Sequence, residues 1–189
     1  MLSFAATLAD AEARSARARG ARLSEDEKSR LRALFHAHAD LVWRLLRRQN
    51  LTPAQADDGL QEVFAVALQR LGDLEPGKER SFLCGSALMV ARRLSQVREA
   101  LPGELPDVES DEALDERTDA ARKRRLVFEL LGKLEEPFRM VLVLQEVEGL
   151  SKRETAEALG IPEGTVASRT RRARELFREL VLANLGRLP

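Results

Sequence analysis

The chain has 189 residues with 31 basic and 31 acidic side chains, 44% hydrophobic and 4% aromatic content, and no tyrosine. That length suits one ordinary domain or two small ones, a net charge of zero names no partner, and the abundance of Leu, Ala, Glu and Arg favours helices over sheets. A single cysteine, Cys84, excludes an internal disulfide and suits a reducing cytoplasm, and no apolar run is long enough to span a bilayer, so a cytoplasmic chain without membrane insertion is expected.

Residues 1–22 are rich in Ala and Arg with weak apolar periodicity; they form an N-terminal arm without assignment, and their lack of an unbroken apolar segment argues against a signal peptide. Order is expected from Ser24, which with Glu27 spells a capping box, and Leu31, Leu34, Phe35, His38, Leu41, Val42, Leu45 and Leu46 mark one helical face. Thr52 caps and Pro53 opens a second helix with the stripe Leu60, Val63, Phe64, Ala67, Leu68 and Leu71, and Gly72 is expected to stop it. A third helix carries Phe82, Leu83, Ala87, Val90, Leu94 and Val97. Three amphipathic helices over residues 23–99 predict a compact bundle.

Composition then shifts. Between Ala100 and Ala121 stand two prolines and eight acids against one base, Arg117, which reads as an acidic, flexible linker over 100–121. Beyond it, Leu126, Val127, Leu130, Leu131 and Leu134 line a helix, and Pro137 starts another that runs to Gly149. No period-two pattern occurs, so the fold class is all-α: two small helical bundles, the second spanning 122–189.

The second bundle holds the most informative stretch, GLSKRETAEALGIPEGTVASRTRRARELF, Gly149 to Phe177. Ser151 and Glu154 form another capping box, the helix ends at Leu159, Gly160-Ile161-Pro162 turns, and Glu163 opens the next helix. Two short helices joined by a Gly-containing turn predict a helix-turn-helix, with small Ala156 at the crossing and Ile161 and Val166 between the helices. Val166, Ala173, Leu176, Phe177 and Leu180 point inward, leaving Thr165, Ser168, Arg169, Arg171 and Arg172 outside or on the flanks. Glu163 to Arg178 holds five arginines against two acids. Hydroxyls and a helix N-terminus bind phosphate, and arginines bind phosphate or guanine edges, so this helix suits the major groove. A merely solvated arginine-rich helix is the competing reading, and the cap, turn and basic helix occurring together weigh against it.

The stretch VLVLQEVEGLSKRETAEALGIPEGTVASRTRRARELF resembles the C-terminal promoter-binding region of bacterial sigma factors of the sigma-70 family, within the small extracytoplasmic-function (ECF) group. QADDGLQEVFAVAL in the first bundle resembles the group's acidic-glutamine signature, with Asp57, Asp58, Gln61, Glu62 and Phe64 in register. The resemblance covers about residues 28–99 and 120–182. It implies a sigma factor that binds core RNA polymerase and directs promoter recognition and transcription initiation. Asp57, Asp58, Gln61 and Glu62 then form a polar face that docks on polymerase. An exposed acidic face near a helix N-terminus, favoured by the macrodipole, explains the same residues equally well on local grounds. Arg92, Arg93, Gln96 and Arg98 would face the proximal promoter element, against the bland alternative of a surface basic cluster. The acidic linker resembles the segment that threads the polymerase's nucleic-acid channel, with a solvated tether as competitor. A separate anti-sigma factor joins polymerase and promoter DNA as a candidate partner.

Several positions depart from the family pattern. Arg93 and Val97 stand where Asn and Asp are usual, a Trp common early in the third helix is missing, and Gly59 interrupts the docking helix at about 1 kcal/mol relative to Ala. Ala167 replaces a common basic residue, and the loop Gly72–Lys78 is the place for a base pocket. His36 and His38 are two apart and face different sides, Cys84 has one basic neighbour in Arg80, and Trp43 reads as packing. No metal-ligand set, cofactor loop or nucleophile motif is present, so neither metal, cofactor nor enzymatic activity is expected. The alternative function is a stand-alone helix-turn-helix regulator that does not bind polymerase.

Overall fold

In a computed structural model the described residues, 24–49, 51–100 and 119–184, are helices joined by short turns, and contacts divide the chain into two compact units, Met1–Val108 and Glu109–Pro189. The N-terminal arm, and the acidic segment apart from its ends, lie outside the described residues.

The first unit holds α1 (Glu25–Arg47), α2 (Pro53–Gln69) and α3 (Glu79–Ala100), each packed on the other two. Both expected N-termini form. Ser24 Oγ accepts the Glu27 N–H at 3.1 Å while Glu27 accepts the Ser24 N–H at 2.9 Å. Thr52 and Gln55 reciprocate in the same way at 3.2 and 3.0 Å, and such a cap contributes about 1 kcal/mol. Leu31, Leu45, Leu46, Val63, Phe64, Leu68 and Leu83 are fully buried, and the Phe35 and Phe64 rings meet at 4.8 Å between centroids. His38 stands at the edge of this core.

Gly59 has a packing reason that the sequence hid. A Cβ there would lie 3.2 Å from both δ carbons of Leu46 and 3.5 Å from Val90 Cγ1, so its absence lets α2 approach α1 and α3 closely. Gly72, by contrast, does not stop α2. The helix ends at Gln69 with Arg70 as its cap, because Leu71 and Leu74 fold inward to be buried. Arg30 of α1 then holds that turn, donating to the Leu71 carbonyl at 2.8 Å and to the Leu74 carbonyl. On α3 the inward face is Leu83, Cys84, Ala87, Val90 and Ala91, while Phe82 and Leu94, expected inside, are half-buried. Complete burial of Cys84 removes it as an exposed thiol.

The second unit holds α4 (Asp119–Gly132), α5 (Glu136–Leu142), α6 (Lys152–Leu159) and α7 (Glu163–Ala183). The helix expected to run unbroken from Pro137 to Gly149 changes pitch at Leu142 into a π-helical turn, Val143–Val147. Glu148 N–H bonds back to the Val143 carbonyl at 2.9 Å and Leu150 N–H to the Leu144 carbonyl at 2.8 Å, with Gly149 at φ +67° closing the end. The wider turn keeps Val143 and Leu144 in the core while Gln145 and Glu146 reach α7.

Candidate nucleic-acid interface

The helix-turn-helix is built by local chemistry. Ser151 and Glu154 cap α6 reciprocally at 3.2 and 2.8 Å, and the buried Thr155 hydroxyl donates to the Ser151 carbonyl at 2.8 Å. At the other end Gly160 takes φ 63° and ψ 34°, the left-handed conformation that favours glycine. Ile161 N–H then bonds to the Ala156 carbonyl at 3.1 Å and Gly160 N–H to that of Glu157 at 3.3 Å, a Schellman closure. The chain leaves through Pro162, which precedes the first turn of α7.

Val166, Thr170 and Ala173, four and three residues apart, form the buried stripe of α7. Sequence reasoning missed Thr170, although its place between two inward residues marked it. Its hydroxyl donates to the Val166 carbonyl at 2.8 Å and lies 3.2 Å from Gln145 Oε1, while Arg174 bonds to Glu146. The π turn therefore fixes α7 through two neighbouring side chains. Leu176, Phe177 and Leu180, expected inside, are half-buried.

The flanks and the opposite side of α7 carry the five predicted residues. Ser168, Arg171 and Arg172 are exposed, and Thr165 and Arg169 are half-buried. Ser168 Oγ donates to the Thr165 carbonyl at 3.0 Å, within the turn before it. Arg172 pairs with Glu175 at 3.1 Å within the same helix, and Lys152 reaches Glu163 across the turn at 3.2 Å.

The four acidic-face residues of α2 do not share one surface. Asp58 is exposed, and Glu62, one turn on, is half-buried and ion-paired with Arg93 of α3. Asp57 accepts the Trp43 indole N–H at 2.9 Å, and Arg47 stacks 5.7 Å above the Trp43 ring, which gives Trp43 a packing role. Gln61 departs from the expected open face: it is 7% exposed, because α2 is buried against α1 and α3 over most of its circumference. On α3, Arg92, Arg93 and Gln96 are exposed, and the side chain of Arg98 lies outside the described set. Among the described residues no cluster of His, Cys, Asp and Glu can hold a metal ion.

A basic helix set behind a capped turn defines a DNA-binding protein of the helix-turn-helix class. Residues 34–93 match the model of Sigma-70 region 2, and residues 124–177 that of Sigma-70, region 4. The ECF RNA polymerase sigma factor SigL of Mycobacterium tuberculosis (strain ATCC 25618 / H37Rv) is 31% identical over 165 residues, covering 85% of this chain and 93% of SigL. SigE of Mycolicibacterium smegmatis (strain ATCC 700084 / mc(2)155) is 32% identical over 154 residues, 77% of this chain and 59% of SigE. Two solved structures share the fold. CnrH in complex with the cytosolic domain of CnrY gives a TM-score of 0.63 at 24% identity, covering 95% of this chain and 99% of that one. The sigma factor RpoE in complex with the anti-sigma factor NepR from Bartonella quintana gives 0.57 at 19%, covering 84% and 98%. The chain belongs to the extracytoplasmic-function group of the sigma-70 family of RNA polymerase sigma factors. It is a transcription initiation factor that binds core RNA polymerase and promoter DNA, and the stand-alone regulator reading is set aside. No helix among the described residues is long and apolar enough to cross a membrane.

Proposed function

We propose that the two units divide initiation between them, working in the cytoplasm by binding alone, without covalent chemistry. Residues 122–189 position the complex on the upstream promoter element through Thr165, Ser168, Arg169, Arg171 and Arg172. Residues 23–99 hold polymerase through the acidic face of α2, with Asp58 and Glu62 in contact and Asp57 and Gln61 fixing the helix beneath. The same unit meets the proximal element through Arg92, Arg93, Gln96 and Arg98. The acidic stretch, whose expected bounds 100–121 overlap the end of α3 at Ala100 and the start of α4 at Asp119, tethers the units. CnrH and RpoE were each solved with a protein bound, RpoE with an anti-sigma factor, which supports an anti-sigma factor as a regulator of this chain too.

The observation that carries the reading is the exposed Ser168, Arg171 and Arg172, flanked by half-buried Thr165 and Arg169, on a helix seated by Val166, Thr170 and Ala173. A hydroxyl-and-guanidinium surface at the N-terminal half of a recognition helix is chemically suited to phosphates and guanine edges. The test supplies the purified chain with core RNA polymerase and the promoter region upstream of its own gene. Specific run-off transcripts are expected, and Arg169→Ala should weaken promoter binding by about 1–3 kcal/mol if Arg169 reads a base. Unchanged DNA affinity in Arg169→Ala would remove that residue from the interface.

A further inference from the structure

The ion pair between Glu62 and Arg93 joins two surfaces that have been assigned to different partners. Glu62 follows Asp58 by one turn on the stripe of α2 left open by α1 and α3. Arg93 lies 31 residues further on, on the outward face of α3, between exposed Arg92 and Gln96. Both side chains stay accessible, at 54% for Arg93 and 35% for Glu62, so either is open to exchange its partner for one from outside.

An arginine held by a carboxylate offers DNA little net charge. To contact a phosphate Arg93 has to leave Glu62, and to meet a basic surface Glu62 has to leave Arg93. The two departures satisfy each other. We propose that Glu62 is a positioning residue that withholds Arg93 from DNA in the free chain, and that a basic polymerase surface taking Glu62 releases Arg93 to the promoter backbone. This rests on the docking and promoter assignments made above. Coupling of this kind is reciprocal, so promoter contact by Arg93 also favours docking through Glu62. An exposed pair contributes about 0.2–1 kcal/mol, which sets the effect at roughly 1.5- to 5-fold in affinity.

The coupling explains two observations together. Arg93 occupies a position where the family resemblance leads one to expect Asn, and the structure gives that arginine a carboxylate on the neighbouring helix. The neighbouring pair Trp43–Asp57 lacks this property, because its donor is an uncharged indole that has no phosphate to compete for.

The test measures binding of the full chain to a fluorescein-labelled duplex carrying the promoter region of its own gene, over a salt series. Glu62→Gln should raise affinity about 1.5- to 5-fold at low salt and steepen the log–log salt slope by about 0.9, the signature of one additional phosphate contact. Arg93→Gln should leave the free chain's affinity nearly unchanged, yet weaken promoter binding once core polymerase is bound. Adding Glu62→Gln to Arg93→Gln should give no gain, because the gain needs the guanidinium. Asp40→Asn, which removes an exposed acid elsewhere on the unit, controls for loss of negative charge alone and should leave the slope as it was. A Glu62→Gln slope equal to wild type, or an equal gain without Arg93, overturns the restraint. Failure of the docking assignment reads differently: core polymerase would then bind Glu62→Gln as tightly as wild type, and the coupling falls even if the DNA gain stands.

Discussion

The chain presents arginines on α3 and on α7, and the two sets are held in different ways. Of the α7 arginines proposed to meet DNA, Arg172 is paired with Glu175 of its own helix, and the side chains of Arg169 and Arg171 have no ion-pair partner among the described residues; Arg174, which is tied to Glu146 of the π turn, is not one of that set. On α3, Arg93 is tied to a carboxylate from another helix. Local i,i+3 pairs are weak and exchange easily with phosphate, whereas the α3 pair ties DNA contact to whatever happens on α2. On the assignments proposed above, one surface is available at all times and the other is conditional. A factor that must not open promoters before it carries polymerase gains from that asymmetry.

The contrast supposes that each surface rests on its own core, and the sharpest way to break it is to damage one core alone. Phe64 is fully buried against Phe35 in the first unit. Phe64→Ala should cost about 3–5 kcal/mol, from lost transfer energy and the cavity left behind. Trp43 is the sole tryptophan and sits in that unit, so its fluorescence isolates the unit's urea transition. The midpoint should fall with little change in slope, while the helical far-UV signal of the second unit persists beyond it. If fluorescence and far-UV signal collapse together, the two cores are coupled and the comparison loses its footing.

The same contrast explains which parts were readable in advance. The helix-turn-helix could be located almost residue by residue because its determinants are local: a capping box four residues long, a left-handed Gly160, and an inward set at helical spacing. The first unit's helices were legible for the same reason, but its site was not. Gln61 reads as a surface glutamine until α1 and α3 bury it, and Arg93 reads as a free cation until α2 brings Glu62 across a separation of 31 residues. Gly59 reads as a helix weakness until Leu46 stands where its Cβ would be. The π turn was hidden too, since Val143–Val147 has no Gly or Pro to mark it and the partners of Gln145 and Glu146 lie on another helix. Pairings between elements are properties of the packed chain, and a single sequence does not print them.

A smaller effect tests the local character of the second unit. A Cβ at Gly160 meets nothing within 4 Å, so any cost of substitution comes from the backbone at φ +63° and not from a clash. Gly160→Val should therefore destabilise the turn by about 1–2 kcal/mol, the penalty of forcing a side chain into the left-handed region. Promoter binding should weaken as α6 and α7 lose their fixed crossing, while the Trp43 transition stays in place. Gly160→Asn should recover much of the loss, since Asn tolerates that conformation better than a β-branched residue does. Equal losses for Val and Asn would show that the glycine is needed for something other than φ.

The smallest expected effect is a pH dependence confined to the first unit. Both histidines of the chain, His36 and His38, lie on α1, so the second unit has no imidazole to titrate near neutrality. Burial holds the His38 pKa below its usual 6.5, and the guanidinium of Arg80 pushes in the same direction against a weaker opposite pull from Glu79. The unfolded chain then binds a proton at a pH where the folded one does not. The stability from neutral His38 is present above pH 6.5 and is lost as pH falls through the lower folded value. Between about pH 7.5 and 5.5 the wild-type Trp43 thermal midpoint should drop more than that of His38→Gln, by less than Gly160→Val costs the other unit. DNA binding by α7, measured on the full chain at fixed ionic strength, should show no His38-dependent change over the same range. A midpoint that falls equally in wild type and His38→Gln would mean the imidazole is not the titrating group, and a parallel change in α7's DNA affinity would mean that the two surfaces are not separately supported.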